Sequence, residues 1–452
     1  MIQAPELGPP PLQLGEEWRR LHPLSPLVRV GAGLAAVLVF FATSLGRPTS
    51  PGTSSFPILL WLATAAIGLI FGVVSWIVTR WRIHGGDLQI EMGLIRRQSF
   101  RVPLARIQAV DVVAPLTARL LGLAEVRVVS AGRGLERGRL AYVSAAEAPM
   151  LRAQLLALAH GLDAETPEPQ AQQLLAVANV RLGVGLVLRP HLLVPMALVV
   201  VLAVTGLGVS AHTADIVGVD FGLALVLIAL ATIGRAFNDD YAFTISEAGD
   251  GVRLDRGLLQ RRHETIPYGR IQAIRWVQPL LWRPFGWCRL EVDVARQHVA
   301  RHGDRDAKQV ARRLMPIASV DEAAWLISRV MPGVRAVPPL AAMCPPRARL
   351  KAPFSYHFLA AWYDDRYMCA RTGRFQAATV MVPLDKIQSV RRERGPVQRW
   401  LRLATVHIDT AGHRWQASAR CRDDGEADSL MWTMAELSRH ARLREPVVAH
   451  SA

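Results

Sequence analysis

Lysine is nearly missing from this 452-residue chain: Lys308, Lys351 and Lys386 are the three among 53 basic residues, so almost all the positive charge is arginine. Cysteine is scarce too. Cys288, Cys344, Cys369 and Cys421 form no C-x-x-C pair, which argues against zinc ribbons and disulfide frameworks and predicts free, buried or half-buried thiols in a reducing compartment. No G-x-S-x-G elbow, H-E-x-x-H pair or phosphate-cradling glycine loop occurs. Asp239-Asp240, Asp364-Asp365 and Asp423-Asp424 are adjacent carboxylates, but neighbours on a strand point to opposite faces and make no general acid/base pair. His298 and His302 stand four apart without a Glu or third ligand beside them. The expectation is a protein that is not an enzyme, with no catalytic residue, metal or cofactor.

What is present is repetition. The phrase PLARIQAV begins at Pro103, PYGRIQAI at Pro267 and PLDKIQSV at Pro383, and a glycine (Gly93, Gly257, Gly373) stands ten residues before each proline. A second proline follows (Pro115, Pro279, Pro396), then a basic and apolar step: ARLLGLAEVRV, WRPFGWCRLEV and QRWLRLATVHI. A register kept over about forty residues predicts three copies of one small domain. Ile107, Ile271 and Ile387 are expected in the core. Gln108, Gln272 and Gln388 are expected to satisfy backbone groups at a strand start.

Within a copy the pattern is β. QIEMGLIRRQSFRVPL, VRLDRGLLQRRHETIPY and MCARTGRFQAATVMVPL each predict two strands joined at a Gly turn, ended by the proline that has no N–H for a ladder. One helical turn and further alternating segments follow, and each copy closes on a helical stretch. Ser144 with Glu147 and Ser319 with Glu322 have the capping-box spacing. Short strands followed by one helix make an α+β module.

Hydropathy places these copies beside a membrane. No ionisable residue interrupts the chain between Arg29 and Arg47 or between Arg47 and Arg80, and 191–211 and 216–234 form another apolar pair with only His191, His212, Asp215 and Asp220 near its ends. Such lengths suit a hydrocarbon core of about 30 Å, so two transmembrane hairpins are expected. Their connecting loops hold one Arg, whereas Arg19, Arg20, Arg29, Arg80, Arg82, Arg189 and Arg235 crowd the opposite ends. By the positive-inside rule both termini and all copies are cytoplasmic, at the bacterial inner membrane. Almost no ionisable group lies inside the spans to mark a transport route.

Residues 80–139 carry 11 basic and 5 acidic groups, 251–313 carry 14 and 6, and 382–422 carry 9 and 3, so the copies hold more positive charge than the whole chain's net +16. Held near an anionic leaflet, such surfaces are attracted to it. Positive-inside bias alone also yields this balance. The insert from Ala295, with Arg301, Arg305, Lys308, Arg312 and Arg313, is the candidate contact for anionic headgroups or a partner, against the plainer reading of a solvated hairpin extension. Nucleic acid is not expected as a partner.

The apolar pairs, the three P-x-x-[RK]-I-Q phrases (Pro103, Ile107, Gln108; Pro267, Ile271, Gln272; Pro383, Ile387, Gln388) and the closing helices resemble the bacterial membrane-flanked pleckstrin-homology-like (PH-like) proteins of the YdbT type. The resemblance implies four transmembrane helices with three cytoplasmic PH-like β-sandwich or barrel domains, each of seven strands and capped by a C-terminal helix. It also implies a smaller membrane partner with one such domain. Arg402 departs from the pattern, standing where the other copies have Gly122 and Gly286. The expected divisions are a tail, 1–27; a first hairpin, 28–79; PH-like domain 1, 80–162; a linker with an interfacial helix, 163–189; a second hairpin, 190–235; domain 2, 236–332; a Pro-rich spacer, 333–353; and domain 3, 354–445. The expected role is a binding or assembly module at the lipid bilayer. The alternative is a subunit of a membrane export or stress-resistance complex.

Overall fold

The computed structural model describes residues 18–28, 66, 70, 72–93, 97–130, 139–159, 161–163, 171–189, 230–249, 251–295, 312–339, 343–412 and 415–443. Two compact units divide the chain: residues 1–172 with 247–249 and 259–265, and the remainder.

In the first unit the antiparallel strands Arg19–Arg20, Arg80–His84, Asp87–Met92 and Gln98–Pro103 form one sheet in that order. Strands Arg139–Ser144, Leu123–Ser130 and Ile107–Ala114 form another. Leu88, Ile90, Val102, Val110 and Val126 fill the space between, closed by Leu151 and Leu155 of helix Glu147–Ala159. The edge of Ile107–Ala114 is taken by the second copy: Arg261, Arg262 and His263 pair with Ala114, Val113 and Val112. Beside this junction the buried Arg152 guanidinium donates to the Val110 carbonyl at 3.0 Å and to Thr265 Oγ1 at 3.1 Å, and the Thr265 N–H donates to Asp111 Oδ1 at 3.3 Å.

The second unit repeats the plan with the junction fully formed. Strands Arg312–Ser319, Trp287–Val294 and Ile271–Pro279 of copy two continue into Gln376–Pro383, Tyr367–Thr372 and Ala360–Tyr363 of copy three as one six-stranded antiparallel sheet. The seam runs from Ile274 opposite Met381 to Pro279 opposite Gln376. Strands Ile387–Glu393, Leu403–Thr410 and Ala417–Asp423 form a three-stranded sheet covered by helix Asp424–Leu443.

The repeated phrase has one structure in every copy. The proline ends a strand, three residues form a 3₁₀ turn (Leu104–Arg106, Tyr268–Arg270, Leu384–Lys386), and the isoleucine opens the next strand, buried each time. The ladder then slips between Ile107 and Ala109, Ile271 and Ala273, and Ile387 and Ser389. The glutamine is therefore the extra residue of a β-bulge, which bends the strand away from its predecessor. Gln272 is buried, with its amide 3.4 Å from the Arg270 carbonyl, whereas Gln388 is exposed, so bulge position outweighs any shared side-chain bond. Gly93, Gly257 and Gly373 all take positive φ at the hairpin turns. At Gly373 a Cβ would come within 2.2 Å of the Gln376 carbonyl oxygen.

Several expectations are corrected. Four transmembrane helices are overturned: the described chain is built mainly of antiparallel sheets, and no helix among the described residues is long and apolar enough to cross a membrane. The apolar stretches 29–65 and 190–229 lie outside the described residues. The physical reason is that an uncharged run measures transfer energy and does not specify a helix of spanning length. Helix Asn179–Val187, expected as an interfacial lead-in, has only nine residues, about 14 Å at 1.5 Å each, and buries Leu182 and Leu186 in the copy-two core. The preceding Gln172–Ala176 is a strand.

Three separate seven-stranded sandwiches are also not what forms, because strands of successive copies share sheets. The spacer 333–353 is docked on copy three: Cys344 and Ala348 join Leu359, Leu401, Leu403 and Cys421 in one cluster, and Trp362 Nε1 donates to the Arg335 carbonyl at 2.8 Å. The capping box forms at Ser319 and Glu322 in both directions. The first copy's helix begins at Glu147, which leaves Ser144 as the last residue of a strand.

Candidate functional site

The flanks of each long apolar stretch are held side by side. Before the first stretch, Arg19 and Arg20 pair with Trp81 and Arg80 beyond it, Trp76 Nε1 donates to the Leu21 carbonyl at 2.7 Å, and the Arg80 and Arg82 guanidinium groups lie 4.4 Å from the Trp18 ring centre. Around the second, the Val177 N–H donates to the Phe243 carbonyl at 2.9 Å and the Ala242 N–H to Asn179 Oδ1 at 2.9 Å. Copy three has no such stretch, yet Met343 bridges to Ala360 at the corresponding edge. Apolar side chains stand in solvent on these flanks: Ile70, Val73 and Ile77 on one, Val180, Val184, Val187 and Leu230 on the other.

Beside the second stretch lies a buried charge cluster. Asp240, fully buried, accepts from Arg313 and lies 3.6 Å from Arg256. Glu291 is paired with Arg289 at 3.0 Å and Arg275 at 3.2 Å. Arg189, just before the apolar stretch, is buried and its pKa is lowered to about 10, chiefly by loss of hydration and then by Arg313 and Arg289, while Asp240 and Glu291 oppose the shift. Arg256 and Arg313 thus tie Asp240, on the far flank of the stretch, to the sheet.

Among the predicted insert contacts, Arg301, Arg305 and Lys308 lie outside the described residues, as do His298 and His302. Arg312 opens strand Arg312–Ser319, and Arg313 turns inward to Asp240.

The adjacent carboxylates have structural work. Asp364 accepts the N–H groups of Arg366 and Tyr367 at 2.9 and 2.7 Å. Asp423 pairs with Arg347, and Asp424 with Arg392 and Arg394 at 3.2 and 2.7 Å. All four thiols are free and buried, and burial raises each thiol pKa: Cys288 to about 12 and Cys344 to about 11, with Cys369 and Cys421 also raised.

The transmembrane protein YdbT of Bacillus subtilis (strain 168) is 22% identical over 338 residues, which span 66% of this chain and 66% of that protein. No solved structure matches the chain. The family model described as Bacterial PH domain matches residues 28–159, 197–331 and 323–436. These three matches cover most of the sequence and fall on the three copies whose bulge, turn and closing helix coincide, so the chain belongs to the bacterial PH domain family.

Proposed function

We propose that this protein is a non-catalytic assembly module at the cytoplasmic face of the inner membrane, whose PH-like copies join edge to edge and accept a further PH-like domain in the same way. The observation that carries this reading is the seam of copies two and three, where strand Ile271–Pro279 pairs with strand Gln376–Pro383 from Ile274 opposite Met381 onward. Two edges end the series. At strand Ile387–Glu393 the apolar Ala273, Ile274 and Val277 of copy two are replaced by Ser389, Val390 and Glu393, with Arg391 and Arg392 between them, and Arg392 is engaged by Asp424 and Asp428. Charge on an edge opposes strand addition. Strand Gln98–Pro103, the counterpart of Gln376–Pro383, stands last in the order of its sheet. It is the proposed docking edge for a smaller membrane protein with one PH-like copy.

Membrane association is supported by the family, by the transmembrane relative and by the exposed apolar flanks. Arg301, Arg305 and Lys308 are proposed contacts for anionic headgroups, with Arg313 reserved for Asp240. Purification in mild detergent, with identification of co-purifying proteins and lipids, tests the reading. A stoichiometric small PH-like membrane protein is expected. Its absence from a preparation that retains anionic lipid would remove the assembly role and leave lipid binding.

A further inference from the structure

One repeated feature lies at the end of the strand that forms the assembly seam. After Pro115, Pro279 and at Pro396 each copy makes a short helical turn: Leu116–Leu120, Leu280–Phe285 and Pro396–Trp400. Four residues before the left-handed position at Gly122, Gly286 and Arg402 stands a buried anchor, respectively Ala118, Trp282 and Gln398. Trp282 Nε1 donates to the Gly185 carbonyl at 3.1 Å, and Gln398 Nε2 donates to Thr405 Oγ1 at 2.8 Å while its Oε1 accepts the Gly395 N–H at 2.9 Å.

The next residue is an arginine in every copy: Arg119, Arg283 and Arg399. Around it apolar side chains face solvent beside the buried anchor. Leu120 is 78% exposed, Phe285 55% and Trp400 78%, with Leu116, Leu280, Leu281 and Val397 beside them. In copy two Arg283 donates to the Arg374 carbonyl at 2.5 Å, and the exposed Phe375 joins the patch through the bond from the Leu280 N–H to its carbonyl at 2.8 Å. None of the three turns contains an acidic residue.

We infer that these three turns are bilayer-contacting knuckles, each placing apolar side chains in the interfacial region of an anionic membrane with its arginine at headgroup level. Exposed apolar groups beside basic ones on a rigid turn gain from both burial and headgroup attraction. Tryptophan favours that depth, and arginine reaches phosphate while its stem stays among apolar atoms. A protein groove would explain exposed apolar groups equally; the arginine at the same step in three differing sequences, with no acidic residue in any of the turns, favours an anionic surface. The inference rests on the membrane reading.

The test labels single cysteines at Leu120→Cys, Phe285→Cys, Trp400→Cys and, as a control outside the turns, Val337→Cys in the full chain, using a polarity-sensitive fluorophore. The native thiols are buried, and the unsubstituted chain sets the background. In vesicles of phosphatidylcholine with phosphatidylglycerol, the three turn labels are expected to shift to the blue and to lose emission to a lipid-borne nitroxide. Val337 should remain open to aqueous iodide. If the chain floats with vesicles but all four labels behave alike, the knuckles do not touch lipid and the membrane reading stands. A blue shift already present in detergent and indifferent to the nitroxide would mean a protein contact and overturn the inference. A chain that does not float removes both.

Discussion

Arg402 and Gly286 hold the same left-handed position, at φ 50° and 62°, and each carbonyl accepts the first N–H of the copy's closing helix: Asp424 to Arg402 at 3.1 Å, Val320 to Gly286 at 2.9 Å. A side chain in that region costs about 1–2 kcal/mol, partly offset because glycine enlarges the unfolded ensemble. Arg402→Gly should therefore stabilise copy three by roughly 0.5–1 kcal/mol and raise its melting temperature. Gly286→Arg should do the reverse in copy two. Equal melting of wild type and Arg402→Gly would show that the arginine earns its place through contacts.

Ile107, Ile271 and Ile387 each become a destabilising site when made aspartate. Burying an unpaired carboxylate costs several kcal/mol, whereas Ile to Val costs about 1 kcal/mol. Loss of cooperative melting with aspartate and near-normal melting with valine is the expected pair. Tolerance of aspartate at any copy would place that residue on the surface.

Asp240→Ala removes the carboxylate that faces Arg256 and Arg313 in a buried site. Leaving buried cations uncompensated should cost about 3–5 kcal/mol. Limited proteolysis should then cut first at the flanks of the second apolar stretch, 177–189 and 230–243. A cut pattern like that of the wild type would mean that the cluster does not pin those flanks.

Burial holds the thiols neutral, with Cys288 at about 12 and Cys344 at about 11. An ordinary thiol ionises near 8.5, so in the unfolded chain these groups lose their protons first. The stabilisation is complete below about pH 8.5 and falls as pH rises toward the folded values, on the order of 3 kcal/mol for Cys288 by pH 11. Denaturation midpoints should drop across that window, and Cys288→Ala should flatten the slope. Thiol reagent at pH 8 should modify the folded chain slowly and the unfolded chain at once.

Proline at Ser99 and, separately, at Phe100 tests the docking edge, because adjacent residues send their N–H groups to opposite sides of the strand. One of the two should release the co-purified partner while the fold is kept. Retention of the partner in both would move its site elsewhere.

Local chemistry determined what each segment is. A proline, a 3₁₀ turn and an isoleucine three times over, with glycine at each hairpin, are choices made within about ten residues, and they read directly as strands, turns and core positions. Even the departure at Arg402 could be assigned by register, since it keeps the backbone conformation of the glycines it replaces. Which strand lies beside which was decided by tertiary structure. A period of two states that a strand buries one face, but its free N–H and C=O groups are indifferent to whether the neighbour belongs to the same copy, so the seam of Ile274 with Met381 is absent from the pattern. The same holds for Arg313: its charge pointed outward to a membrane, and only the buried Asp240, 73 residues earlier in the chain, turned it inward.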